Sequence, residues 1–163
     1  MKTCMLIAAV AMFACSATAH SAPARLTPAD EAAAFKAAGF TLNGKQWRNC
    51  DDPTPTYSPG DVAEVRDLNG DGRLEAVITE GGTYCYGHAG TAYTVVSKQA
   101  NGSWKKVTGG TGIATFLPSK GKDGWPDIEV GGPGFCFPVI RWNGREYTLN
   151  RHEYEGKSCR PNR

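Results

Sequence analysis

The residues best placed to do chemistry form one short run, Asp67-Leu68-Asn69-Gly70-Asp71-Gly72-Arg73-Leu74-Glu75. Oxygen-bearing side chains stand at its first, third, fifth and ninth positions. A glycine at the sixth permits the sharp turn that aims them inward, and the carbonyl of Arg73 can serve as a further donor. Hard oxygen donors without His or Cys select Ca2+, or less well Mg2+, over zinc or copper. The expected site is one Ca2+ ion held by the side chains of Asp67, Asn69, Asp71 and Glu75 and by the backbone of Arg73. The competing reading is a tight acidic turn without metal, in which crowded carboxylates repel one another.

A helix-loop-helix calcium hand does not fit this run. Its twelfth position is Ile78, where a bidentate Glu is required, and Leu74-Glu75-Ala76-Val77-Ile78 alternates as a strand rather than starting a helix. The loop therefore joins two strands. In that form, residues 65–77 resemble the calcium loop of FG-GAP and VCBS-type repeats, which are similar to the blades of integrin-like β-propellers. The resemblance implies the ligand set given above. It also implies several blades, whereas this chain has room for two units, so a closed propeller is not expected.

Those two units show as an internal repeat. Asp71-Gly72-Arg73-Leu74-Glu75-Ala76-Val77-Ile78 lies over Asp123-Gly124-Trp125-Pro126-Asp127-Ile128-Glu129-Val130, followed by Gly81-Gly82 over Gly131-Gly132 and Cys85 over Cys136. The copies run over about 61–108 and 117–150. In the second copy Gly121 offers no ligand, and Lys120 and Lys122 oppose a cation. One ion is expected, not two.

Catalytic candidates are sparse. His88 lies in a Gly-rich loop and His152 in a charged stretch, and neither belongs to a G-x-S-x-G or H-E-x-x-H arrangement. Glu80, Asp127, Glu129 and Glu153 could supply a carboxylate pair for glycoside hydrolysis. No catalytic residue is assigned. Tyr84, Tyr86, Phe135 and Phe137 flank the repeat-related cysteines, either as core packing or as an exposed aromatic surface. Strand alternation would place Tyr84 and Tyr86 on one face with Cys85 on the other.

The elements that must position these residues follow from the rest of the chain. A basic start, an apolar stretch over residues 5–14 and small residues over 16–24 read as a cleaved signal peptide, residues 1–24, leaving one domain over 25–163. Lipidation at Cys15 is a rival processing route. Thr27, Pro28, Asp30, Glu31 and Gly39 bound a short helix over 28–38 that cannot be stable alone and must pack on the body. Strands are expected over 62–65, 75–80, 92–98, 104–108, 127–130, 139–142 and 146–149. The pairs Asn43-Gly44, Asn101-Gly102 and Asn143-Gly144 are expected to turn hairpins. The fold class is thus mainly β, two blade-like antiparallel units packed together with one N-terminal helix.

Beyond the leader stand Cys50, Cys85, Cys136 and Cys159, an even set that in an exported chain implies two disulfides. Zinc is disfavoured because no two cysteines have C-x-x-C spacing. The expected pairs are Cys85–Cys136, joining equivalent positions of the repeats, and Cys50–Cys159, tying the ends. A net charge of +2 with interspersed signs gives no nucleic-acid footprint and no polybasic membrane patch. The functional expectation is a periplasmic or extracellular calcium-binding monomer that recognises a protein or glycan. The alternatives are a small carboxylate hydrolase and an accessory domain in which calcium only locks the fold.

Overall fold

The computed structural model describes residues 25–161. The expected signal peptide and Cys15 lie outside them. The chain enters through helix α1 (Pro28–Ala38). Thr27 caps its start by accepting the Asp30 N–H at 3.2 Å, and Gly39, at φ 96°, closes its end by donating to the carbonyls of Lys36 and Phe35. Ala34, Phe35 and Ala38 form its buried side. Burying Phe35 alone contributes about 2–3 kcal/mol, which is how so short a helix holds.

Two antiparallel sheets follow. The first orders β1 (Thr41–Asn43), β2 (Gln46–Arg48), β3 (Ser58–Arg66), β4 (Glu75–Gly81), β5 (Thr91–Lys98) and β6 (Trp104–Thr111). The second contains β7 (Ile113–Lys120), β8 (Pro126–Gly131), β9 (Phe137–Trp142), β10 (Tyr147–Tyr154) and β11 (Lys157–Ser158), in the spatial order β11-β10-β9-β8-β7. Each sheet is thus built on a four-strand meander, β3 to β6 and β7 to β10, and both curl. The three Asn-Gly pairs turn the hairpins β1–β2, β5–β6 and β9–β10, as expected.

Side-chain alternation shows how the layers stack. Ala76 and Ile78 of β4 and Val96 of β5 pack against Phe35 and Ala38 of α1. The opposite face of the same strands, Val77, Tyr93 and Val95, packs against Ile128 of the second sheet and against Trp125, the residue before β8. The first sheet is therefore covered on both faces, and β4 and β5 are buried along nearly their whole length, polar residues Glu75, Glu80, Thr94 and Ser97 included. Ile128 is the repeat equivalent of Ala76. The face that unit one turns to the helix is thus the face that unit two turns to unit one, so the units stack in the same sense instead of facing each other symmetrically. One end of this stack is covered by α1. At the other, the outward face of β8 carries Asp127 in an ion-pair network that caps it.

Same-sense stacking explains why the expected disulfides are wrong. The bonds are Cys50–Cys85 and Cys136–Cys159, with Cα atoms 6.4 Å and 5.6 Å apart. Equivalent positions in stacked sheets lie about 10 Å apart, too far for the 4.4–6.8 Å or so that a disulfide spans, so Cys85 cannot reach Cys136. Each unit instead ties its own loop to its own flanking segment, closing sequence separations of 35 and 23 residues. Each closure contributes about 3–4 kcal/mol on a chain-entropy basis.

Two further expectations are corrected. Residues Thr83–Tyr86 form one helical turn, α2, rather than a strand, so strand alternation does not order Tyr84, Cys85 and Tyr86. Tyr84 is exposed, whereas the Tyr86 hydroxyl turns inward to Glu80. Strand β7 was not expected because Pro118 interrupts it. It is the edge strand of its sheet, where a missing N–H is tolerated, and its ladder is irregular between Phe116 and Lys120. Among the described residues no helix is long and apolar enough to cross a membrane.

Candidate metal centre

The run 67–75 connects β3 to β4 at one end of the stack, beside the short 3-10 turn Lys122–Gly124 that occupies the same place in unit two. The two connections touch. A Cβ on Gly124, at φ 74°, would stand 2.2 Å from the carbonyl oxygen of Asn69, so only glycine fits there. Leu68 points inward and is buried with Val77, Val95, Trp125 and Ile128. The conformation of the loop is therefore tied to the core between the sheets.

Four of the five expected ligand residues lie in one tight turn. Asp67 accepts the N–H groups of Gly70 at 2.7 Å, Asp71 at 3.2 Å and Gly72 at 2.8 Å. Burial works to raise its carboxyl, but the Gly72, Gly70, Asp71 and Asn69 N–H groups outweigh it and hold the acid below its ordinary value. Asn69 accepts from the Asp71 N–H at 3.0 Å and donates to the Asp71 carboxylate at 3.1 Å. Asp71 accepts from the Arg73 N–H at 2.9 Å and pairs with the Arg73 guanidinium.

Glu75 stands apart as the first residue of β4, 1 % exposed. Its carboxylate accepts from the Leu68 N–H and the Ser97 hydroxyl, each at 2.7 Å. Burial pushes its acid up from the ordinary value; these two donors oppose that, and the nearby charges of Asp71 and Asp67 add to it. Among the described residues, no three His, Cys, Asp or Glu side chains gather as a ready-made metal site. The turn instead directs its oxygens at its own N–H groups. The donor chemistry nonetheless fits a hard cation: every side-chain donor is oxygen, and the run carries three carboxylates and one guanidinium, Arg73, which pairs with Asp71.

Unit two shows what the same position looks like with its charge balanced. Asp127, the equivalent of Glu75, is fully buried. It accepts from Arg141 through two bonds of 2.8 Å, from Arg151 at 2.6 Å and from Ser119 at 2.7 Å. The Arg141 guanidinium, foremost among these, holds its carboxyl far below the usual range against the opposing effect of burial. Arg141 lies opposite Asp127 on the ladder, one step from the Ile128–Ile140 pair, just as Ser97 lies opposite Glu75. Sequence reasoning missed Ser119, Arg141 and Arg151. The available signal was register: once Asp127 is aligned with Glu75, the facing residue is Arg in one copy and Ser in the other.

Of the other carboxylates put forward, Glu129 lies half-buried on β8, and Glu80 and Glu153 are engaged within the fold. Glu80 is 3 % exposed and accepts from the hydroxyls of Tyr57 and Tyr86 and from the Asn49 N–H at 2.9 Å and the Cys50 N–H at 3.3 Å. Burial, and secondarily the adjoining Glu80, push both phenols well above their usual range. Glu153 pairs with Arg151 at 2.5 Å. His88 is exposed, and His152 is half-buried on β10. Phe135 is exposed and meets Tyr154 edge-on at 5.2 Å. Comparison with known protein families, with curated proteins and with solved structures finds no match for this chain.

Proposed function

We propose that this chain is an exported, disulfide-linked binding domain, periplasmic or extracellular, whose loop 67–75 holds one Ca2+ in the manner of an FG-GAP or VCBS-type repeat. The observation that carries the reading is Glu75: a buried carboxylate beside Asp67 and Asp71 whose partners, among the described residues, are an N–H and a hydroxyl. Its equivalent, Asp127, is neutralised by two arginines. A buried charge without a counter-charge is costly. Asp67, Asn69 and Asp71, with the Arg73 carbonyl, are the groups that would hold the ion beside it. The disulfides fit an oxidising compartment, and a signal peptide over residues 1–24 would deliver the chain there.

The burial of Leu68 between the sheets favours a second reading, an accessory domain in which calcium locks the stack and nothing more. Calorimetric titration of the mature domain with Ca2+, with thermal melting alongside and Asp71→Ala as the control, tests the shared part of both. One site that raises the melting temperature and is lost in Asp71→Ala is the expected result. No heat at millimolar Ca2+ removes the metal from the account. A pull-down that recovers one specific partner separates the binding domain from the accessory one.

A further inference from the structure

Among the described residues, strand β3 has a partner on one side only beyond Gly60. Its pairing with β2 is confined to Trp47 opposite Gly60, whereas its ladder with β4 runs on to Arg66. A groove of about 680 Å3 lies along the free side, lined by Arg25, Leu26, Glu31 and every residue from Asp61 to Arg66. Successive strand residues point to opposite faces, so a groove that touches all six runs along the strand's edge. The outward N–H and C=O groups of such an edge are a template for a further strand.

A bulge commonly blunts an edge, and β3 has one at Ala63, which finds no partner on β4 between Val62, opposite Ile78, and Glu64, opposite Val77. Here the extra residue makes the strand symmetric. Val62 and Val65 face the helix. Ala63 and Glu64 both line a pocket on the seam side, where Asp61 lies opposite Thr79 and Arg66 lies over the Phe116 ring. The order of faces over 61–66, seam-helix-seam-seam-helix-seam, reads the same in both directions. Laid antiparallel on a second copy, the strand sets Asp61 against Arg66, Val62 against Val65 and Ala63 against Glu64, each pair on one face. Charge agrees with that register, since acid meets base at both ends. Asp61 makes no ion pair among the described residues, and Arg66, paired with Glu64, keeps half of its side chain in water.

We propose that β3 is a self-recognition edge through which two copies of this chain associate about a two-fold axis between Ala63 and Glu64, joining their first sheets into one. The pairing is isologous, so it consumes the same edge of both copies and closes at a dimer. Ile113, 61 % exposed on the edge strand β7, borders Ala63 and Glu64 and adds an apolar flank. A foreign peptide of uniform charge is a poorer occupant, because the groove offers Glu31, Asp61 and Glu64 beside Arg25 and Arg66. Six paired residues a side place the contact at the small end of interfaces, so the dimer is weak and reversible. It replaces the monomer expected from the sequence and is independent of the binding-domain reading.

The test is sedimentation equilibrium of the mature domain up to about 1 mM, in chelator, where a metal at 67–75 plays no part. Asp61→Lys and Arg66→Glu change exposed positions, and melting curves verify that each variant keeps the fold. Either one alone sets like charges opposite each other at both ends of the paired strands and should raise the dimer Kd at least about tenfold. Mixed in equal amounts, the two variants set Lys against Glu at one end and Arg against Asp at the other. The mixture should form a heterodimer within about threefold of the parent's affinity. A parent that stays monomeric at the highest concentration leaves the edge to another occupant and overturns the proposal. So does full self-association by either variant, assembly beyond a dimer, or a mixture that remains as weak as its components.

Discussion

Glu75 and Asp127 hold the same place in two copies of one unit, at the head of the strand that leaves the loop. Both are buried, and their surroundings differ in one respect that governs the rest. The strand residue opposite Asp127 is Arg141, and Arg151 reaches it from the next strand. Opposite Glu75 stands Ser97, which brings a hydroxyl and no charge. The second unit carries its counter-charge in its own sequence, and its loop has Ser119 and Gly121 in place of Asp67 and Asn69, with Lys120 and Lys122 beside the one acid it keeps, Asp123. The first unit keeps an acidic loop and lacks an arginine. Counter-charge and loop composition vary together, as expected if one arrangement substitutes protein cations for a bound one.

The largest expected effect comes from breaking the self-sufficient copy. Asp127→Asn leaves Arg141 and Arg151 crowded together without their shared carboxylate. Because Asp127 is fully buried while both guanidinium groups are partly in water, the expected loss is about 3 kcal/mol, at the low end for a broken buried pair. Urea unfolding measures it, and Ca2+ should not restore the loss. A change under about 1 kcal/mol would show that the network caps the stack without supporting it.

A smaller effect follows from making unit one resemble unit two. Ser97 is 4 % exposed and its hydroxyl meets Glu75 inside the seam, so in Ser97→Arg the gain from a counter-charge is offset by overpacking that costs about 1–3 kcal/mol. In chelator the variant should stay within about 1 kcal/mol of the parent, and added Ca2+ should raise its melting temperature little or not at all. If Ca2+ stabilises the variant as much as the parent, Glu75 is not where the cation's charge is felt.

How much of this could be read from the sequence depended on whether the signal was local. The helix, the three hairpins and the central strands were legible because caps, Asn-Gly turns and apolar alternation act within a few residues. The loop was legible as a donor set for the same reason. The disulfide pairing was not, because it depends on the sense in which two similar units stack, and Cys85 with Cys136 looks equally sensible until Ile128 is seen against Val77 and Val95. Strand β7 was hidden by Pro118, whose meaning changes between a central and an edge strand. The arginines around Asp127 lie 14 and 24 residues away from it. Only the register of β8 with β9 and the path of β10 make them neighbours.

The smallest effect is in pH, and there the two carboxylates should act with opposite signs. Asp127 has a depressed acid, so its contribution is fully present above the unfolded value, about 3.9, and is lost as pH falls through the folded value. Asp67, depressed by its N–H donors, acts in the same direction. Glu75 has a raised acid, so the folded state binds its proton more tightly than the unfolded chain does. Its favourable contribution is complete below the unfolded value, about 4.3, and is lost as pH rises through the folded one. In chelator, stability should therefore rise slightly as pH is lowered from 7 and Glu75 takes up its proton, then fall as Asp67 and Asp127 protonate. Glu75→Gln keeps an acceptor for the Leu68 N–H and turns its amide N–H to the Ser97 hydroxyl oxygen, and it should abolish the rise, matching or slightly exceeding the parent at pH 7. Added Ca2+ should flatten the same rise in the parent, since a cation beside the ionised form opposes protonation. A rise that survives in Glu75→Gln would assign it to another group and remove the contrast between the two buried acids.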